Sequence, residues 1–259
     1  MNVYKHCFAY SPTRQNFLTG FYVILPPKPQ SILLHFYITD ISFDTANYSA
    51  IRHALIDLHQ RIIKKPNPFD VKTCARHLGL LNKKTLNFRN NTEVDLLTDY
   101  MVYAFRPNGF NMAEKYLRLN KSLLNEYDQA LLSRMRLARY QVFQVEETNH
   151  FDKISVANVF IKTRFTLVDH QLAKTAGKGM VIAGHILDLG DFCIQSGASL
   201  PLDKALLDAD EVINALERVD DNNFVEYFLN PVNDSKLARA IISASIRLGN
   251  TENVDYYDV

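Results

Sequence analysis

The spacing of apolar positions changes several times along this 259-residue chain, and each change marks a structural boundary. Two runs dense in aromatic and β-branched residues, "NFLTGFYVIL" and "SILLHFYITDISF", flank the proline-rich connection "PPKPQ", so residues 1–45 are expected to form a β-hairpin region. From Ala46 the period becomes helical: Ile51, Leu55, Leu58 and Ile62 recur at spacings of four, three and four, on a helix that "KKPNP" ends. "DVKTCARHLGLL" reads as a short helix stopped by Gly79, and "KTLNF" as a strand or extended link. In "NNTEVDLLTDYMVYAF", Thr92 and Asp95 have capping-box spacing, and Val94, Leu97, Met101 and Ala104 or Phe105 form the inward stripe. After the turn "RPNG", Asn111 and Glu114 open another helix. A longer one is expected from about Asn125 to Arg139, with Tyr127, Leu131, Met135 and Ala138 inward. Residues 46–139 thus read as a helical region.

At Tyr140 the character changes again. "YQVFQVEE", "KISVANVFI", "RFTLVD", "GMVIAGHILDL" and "FCIQSGASLPL" are five β-type runs with no helical pattern between them. They predict a small antiparallel five-stranded barrel, SH3-like or OB-like, over residues 140–202. Helices return at Asp203, a good N-cap, with Leu206, Ala209, Ile213 and Leu216 as the stripe of one helix. "NNFVEYFLN" and "NDSKLARAIISASIRLG", the latter stopped by Gly249, complete an acidic helical region over 203–259. The expected fold class is α+β: a helical N-terminal and middle region, the small barrel, then C-terminal helices.

Composition supports a packed chain, with 47% hydrophobic and 22% charged residues. No run of about eighteen apolar residues occurs, so no membrane-spanning helix and no membrane partner are expected. "MNVYKHCFAYSPTRQN" lacks the apolar core of a signal peptide, and Cys7, Cys74 and Cys193 offer no disulfide framework, so a cytoplasmic location is expected. The net charge of +1 hides an asymmetry. Residues 61–90 carry eight Lys or Arg against one Asp, whereas residues 203–259 carry five against twelve Asp or Glu. Such blocks can attract one another within the fold or serve separate partners.

Charge and glycine patterns raise the candidate chemistry. In "GKGMVIAGHILDLGDF", Gly179 and Gly184 have the spacing of a phosphate-binding loop. His185 and Ile186, however, stand where Lys and Ser or Thr are needed, and β-type residues follow instead of a helix. The glycines are therefore read as turn positions (Gly177, Gly179) and a close-packing or bulge position (Gly184), not as a nucleotide site. Cys74 and His77 are three apart but have no second ligand pair, so no metal or other cofactor is assigned. Asp169 and His170 are neighbours, which on a strand would point to opposite faces. His185 and Cys193 lie on consecutive runs and would meet across a hairpin, without an orienting third group or an oxyanion hole. No catalytic residue is assigned. The acidic residues Asp208, Asp210, Glu211, Asp220 and Asp221 read as solvated surface. The basic block resembles the first half of a helix-turn-helix, but no recognition helix follows its glycine turn. Within it Lys83, Lys84 and Arg89 are the residues expected to contact phosphate, on charge alone.

The ordered runs "ARHLGLLNKKTLNFRNNTEVDLLTDYMVYAF", "ARYQVFQVEE" and "GKGMVIAGHILDLGDFCIQSGASLPLD" resemble a group of uncharacterised bacterial cytoplasmic proteins. These share the pattern LGL…TL.F…E…L.DY..Y followed by a small β-module, and the resemblance covers roughly residues 70–205. Some members carry a short Cys-rich SEC-C zinc tail; no cysteine follows Cys193 here, so none is carried over. The resemblance implies no activity and no catalytic residues. The expected function is a non-catalytic interaction module whose barrel mouth or adjoining helical groove binds a protein or nucleic acid. The alternative is a hydrolase-like enzyme, in which His185, Cys193 or His170 would converge with a carboxylate in a pocket. Nothing in the sequence sets the oligomeric state.

Overall fold

The computed structural model describes residues 41–148, 152–217, 219 and 224–253. The runs of the expected N-terminal hairpin lie outside the described residues, save for the last few positions of the second.

Helix α1 (Tyr48–Ile63) buries Tyr48, Ile51, Leu55, Leu58 and Ile62, the periodic stripe extended by one turn. The prolines then end it and reopen the chain as α2 (Pro68–His77), where Pro68 takes the first turn and Asn67 accepts a hydrogen bond from the Phe69 N–H. Gly79 (φ 77°) turns the chain out of α2 into a two-residue hairpin, β1 (Leu81–Asn82) and β2 (Thr85–Leu86), with Lys83 (φ 57°) at its tip. Helix α3 (Asn91–Asp99) widens into a π-helical turn over Tyr100–Ala104, closed by the Phe105 N–H on the Tyr100 carbonyl. Its cap differs from the expected Thr92. Asn90 is the N-cap, accepting from the Glu93 N–H at 3.0 Å, which shifts the inward face to Thr92, Glu93, Leu96 and Leu97 and leaves Val94 exposed. Helices α4 (Met112–Asn120) and α5 (Glu126–Met135) start in the same way, from Asn111 and Asn125. Helix α5 stops short of the expected Arg139 because that residue already opens the sheet.

The five predicted runs all become strands: β3 (Arg139–Thr148), β4 (Lys153–Asn158), β5 (Arg164–Val168), β6 (Val181–Asp188) and β7 (Cys193–Pro201). They pair in the order β3-β4-β5-β7-β6 and return to β3. The all-antiparallel expectation fails at one pair, since β5 and β7 run parallel at Leu167↔Cys193. The reason is parity: strands cannot alternate direction all the way round a ring with an odd number of members. A short helix α6 (Leu172–Thr175), whose first amides are met by Asp169, also interrupts the expected helix-free series.

One face of the sheet encloses Phe143, Val145, Ile154, Val156, Leu167, Ile182 and Ile186. The other is not left to solvent. Tyr140, Val142, Ala183, Ala198 and Leu200 pack with Leu78, Leu96, Leu97 and Ile241 from the helices, while Val168, Leu187 and Ile194 pack with Leu55, Leu58 and Leu131. Burial on both faces explains why the runs hardly alternate in sequence. In β6, Gly184 sits where an added Cβ would lie 3.1 Å from Ser199 Cβ, next to a register shift between Gly184 and Ile186. Of the two turn glycines, only Gly179 has positive φ. The segment after it is a strand, so no anion loop precedes a helix there.

The single helix expected from Asp203 is two, α7 (Lys204–Leu207) and α8 (Asp210–Leu216). Asp203 caps the first, and the break at Asp208 and Ala209 buries Val212 in place of Ile213. Helices α9 (Phe224–Leu229) and α10 (Pro231–Leu248) follow, the latter ended by Gly249 (φ 81°) and succeeded by a 3-10 turn over Asn250–Asn253.

Candidate functional site: a cationic groove

The histidines, cysteine and carboxylates of the enzyme alternative fall into separate environments. His185 points away from the sheet interior, towards the helices. Its Nδ1 lies 2.5 Å from Asp99 Oδ2, Tyr103 stacks on its ring at 5.1 Å, and the Tyr140 ring meets it edge-on at 4.9 Å. Tyr103 in turn shares a 2.6 Å hydrogen bond with His59 Nε2. Nearby, Asp234 of α10 accepts from the Tyr140 N–H at 2.6 Å. Burial holds the His59 pKa down at about 4 and pushes that of Asp234 up to about 6. This cluster ties α1, α3, β3, β6 and α10 together through polar contacts. His185 is 0% and Asp99 3% exposed, so a substrate has no route to the imidazole.

Cys193 does not join them. It pairs with Asp188 and packs against the sheet interior, and burial, then the Asp188 charge, pushes its thiol up to about 12. A thiol held neutral in this way is a poor nucleophile. His170 lies in the loop after β5, so the opposite-faces argument made for a strand does not apply to it. It pairs with Asp152 at 3.3 Å and lies over the Tyr48 ring at 4.3 Å. Cys74 is buried in the helical core, and His77 Nδ1 lies 3.2 Å from the Tyr100 hydroxyl. Among the described residues no group of three or more His, Cys, Asp or Glu is placed to hold a metal ion.

A different place collects charge. A groove of about 1000 Å³ runs between the end of α2, the β1–β2 hairpin and α10, with α8 and the start of α3 on its rim. Helix α10 contributes Lys236, Arg239, Ser243 and Arg247, spaced three, four and four and therefore on one face, while Leu237, Ile241 and Ala244 are buried on its other side. Arg76 and His77 come from the last turn of α2, and the positive φ at Lys83 presents that lysine at the hairpin tip. Arg76, Lys83, Lys236 and Arg239 are exposed, and among the described residues none of the four has an acidic partner within ion-pair distance. The remaining two cations are occupied. Arg247 chelates Glu211 at 2.7 and 2.8 Å, and Arg89 binds Glu93 through Nε at 2.8 Å and Nη2 at 2.7 Å and also donates to the Ile246 carbonyl. His77 registers the local potential: burial first, then Arg239 and Arg76, hold its pKa below the ordinary histidine value.

Of the three residues nominated from sequence, Lys83 and Arg89 line the groove and Lys84 does not. Arg89 is committed to clamping α3 against the end of α10. The residues missed were Arg76, Lys236 and Arg239. The last two sit in a segment whose net charge is acidic, so counting charge by segment conceals them. Their helical spacing with Arg247 was the available signal.

Fold and site together define an α+β protein in which a closed five-stranded sheet is wrapped by helices that form a cationic groove. The chain belongs to a family of unknown function, DUF7986, whose model matches residues 43–228. No curated protein and no solved structure matches it. The matched segment carries Arg76 and Lys83 but ends before α10, which brings Lys236 and Arg239.

Proposed function

We propose that the protein is a non-catalytic interaction module and that the groove is its binding surface for an anionic partner. The observation that carries this reading is the set of four cations, Arg76, Lys83, Lys236 and Arg239, exposed around one concavity and, among the described residues, without an acidic partner within ion-pair distance. Like charges lining one concavity focus a positive potential there and raise the local concentration of anions. The sheet is best read as OB-like: five strands, a closed order and one parallel closing pair, with a short helix between the third and fourth strands. In OB-like sheets ligands usually take the face of the second and third strands. Here that face offers Lys153, Ser155, Ala157, Arg164 and Thr166, and with Arg164 held by Glu146 at 2.8 Å only Lys153 among them is an uncompensated cation. This favours the groove over the sheet. The free thiols of Cys74 and Cys193 fit a cytoplasmic setting.

The hydrolase alternative draws on the Asp99–His185 contact, and the sealing of that pair weighs against it. The test of the binding reading is retention on immobilised heparin. The wild type should elute only at raised salt, and a variant with Arg76, Lys236 and Arg239 all changed to Ala should elute well earlier with an unchanged far-UV spectrum. Coincident elution of the two proteins would remove the groove from consideration.

A further inference from the structure

Resting on the reading of the groove as the binding surface, we propose that its occupant is a nucleic-acid strand, lying along α10 and held through successive backbone phosphates without readout of the bases. Length is the first argument. From Lys236 to Arg247 the basic face of α10 extends ~16 Å at the helical rise, whereas phosphates of a stacked strand recur about every 3.4 Å. Arg247 at its far end is paired to Glu211, so the uncompensated cations are Lys236 and Arg239 on this face and Arg76 and Lys83 opposite. A lone phosphate would engage one end of such a stripe. An extended strand can use the stripe and the facing wall, where Arg76 and Lys83 stand, together.

Hydrogen-bonding character is the second argument. The uncompensated charged groups of the groove, guanidinium and ammonium, are donors only, while its two carboxylates, Glu93 and Glu211, are taken by Arg89 and Arg247. The Ser243 hydroxyl donates to the Ala240 carbonyl, and the amides of Asn82, Asn87 and Asn214 can serve in either sense. Such a lining suits a ligand that accepts and hardly donates. A phosphodiester backbone has that character. A peptide, acidic or not, brings one amide N–H per residue that needs an acceptor. The third argument concerns the bases. Leu78, Leu80, Ala240 and Ile246 are aliphatic, and among the described residues His77 is the one ring in the lining, so bases find no stacking surface there and turn outward. Binding should therefore be indifferent to sequence. Arg76 on the facing wall and Arg239 on α10 both act on His77, so the positive potential of both walls is felt at that ring.

The experiment is a fluorescence-anisotropy titration of the full chain with labelled oligothymidylates of four, eight and sixteen nucleotides, and with oligoadenylate of the longest length. Competition by inorganic phosphate and by polyglutamate completes it. The expected result is tight binding of the longest oligomers, near-equal affinity for the two bases, and weak competition by inorganic phosphate. The salt slope should lie near −2 to −3, about −0.7 for each of three or four phosphates. Arg239→Ala should reduce the slope by about 0.7, and Lys84→Ala, outside the lining, should leave it unchanged. In NMR, the His77 ring pKa should rise when the 16-mer binds, because the phosphate offsets Arg76 and Arg239. Polyglutamate binding as tightly as the 16-mer overturns the nucleic-acid assignment and leaves the anion-binding reading standing. Equal affinity for 4-mer and 16-mer, with displacement by millimolar phosphate, overturns the extended strand in favour of a single-phosphate site. Binding of none of these polyanions overturns this inference and the reading beneath it together.

Discussion

His59 and Asp234 belong to one polar cluster, and burial moves their protonation equilibria in opposite senses for stability. The native pKa of His59, about 4, lies below its unfolded value of about 6.5, so between these the unfolded chain holds more protons and stability rises with pH. Asp234 is raised from 3.8 to about 6, so over nearly the same interval the native chain holds more protons and stability falls with pH. His185, Arg139 and Arg106 face Asp234, and Asp99, Arg52 and His185 face His59, without reversing either direction. The two slopes oppose each other in the wild type. Asp234→Asn keeps an acceptor for the Tyr140 N–H and should unmask the His59 slope, giving stability that climbs from pH 4 to 6. His59→Gln should do the reverse. Urea unfolding across that range checks both, and variants that track the wild-type curve would show that these groups are not buried as described. A second residue-scale prediction concerns Gly197 (φ 128°), where an added Cβ would lie 2.8 Å from Arg52 Nη2, the guanidinium that also donates to the Gln195 carbonyl at 2.7 Å. Gly197→Ala should cost about 1–3 kcal/mol in thermal unfolding. An unchanged midpoint would mean that the strand relaxes without strain.

At the scale of elements, three helices begin on asparagine followed three residues later by an acid: Asn90 with Glu93, Asn111 with Glu114, and Asn125 with Asp128. Asn111 does more than cap. It is fully buried and its amide donates to the carbonyls of Tyr103 and Arg136, joining the π-helical turn to the end of α5. Asn125→Ala should therefore cost about 1 kcal/mol, and Asn111→Ala roughly 2–3 kcal/mol because the buried Tyr103 carbonyl and the half-buried Arg136 carbonyl also lose a donor. Equal losses in denaturant unfolding would reduce Asn111 to an ordinary cap. The π-helical turn also shows where reading by period fails. Its wide turn lets Tyr100 and Met101 enter one core and Val102 and Tyr103 another, so all of Tyr100–Ala104 is buried, and no 3.6-residue stripe describes them. In "NNTEVD" several residues can cap, and the burial of Leu96 and Leu97 selects Asn90 among them.

For the whole molecule, the sheet and helices share their cores. Tyr140, Val142, Ala183, Ala198 and Leu200 on the outer side of the sheet are buried by helical residues from both before and after it in sequence. A fragment of residues 139–202 would expose them all. It should fail to give dispersed amide resonances by itself and recover them only within the full chain. A well-dispersed isolated fragment would show that the helices are dispensable to the sheet. The groove is also a property of this scale. One wall comes from a basic stretch and the other from a stretch whose net charge is acidic, and only the fold turns Lys236 and Arg239 towards Arg76 and Lys83.

Local chemistry was decided within the sequence. The α1 stripe, the five β-type runs, the Asp203 and Asn111 caps and the stops at Gly79 and Gly249 all follow from interactions within a few residues, and these survive into the structure. What joins distant positions was decided by tertiary structure: the parallel β5–β7 closure, the enclosure of His185 with Asp99, and the pairing of two chain segments around one cationic concavity. The physical reason is that a side chain's period and a backbone's turn preference are set by its neighbours in the chain. The sign of a groove and the burial of a charge depend on which remote surfaces meet.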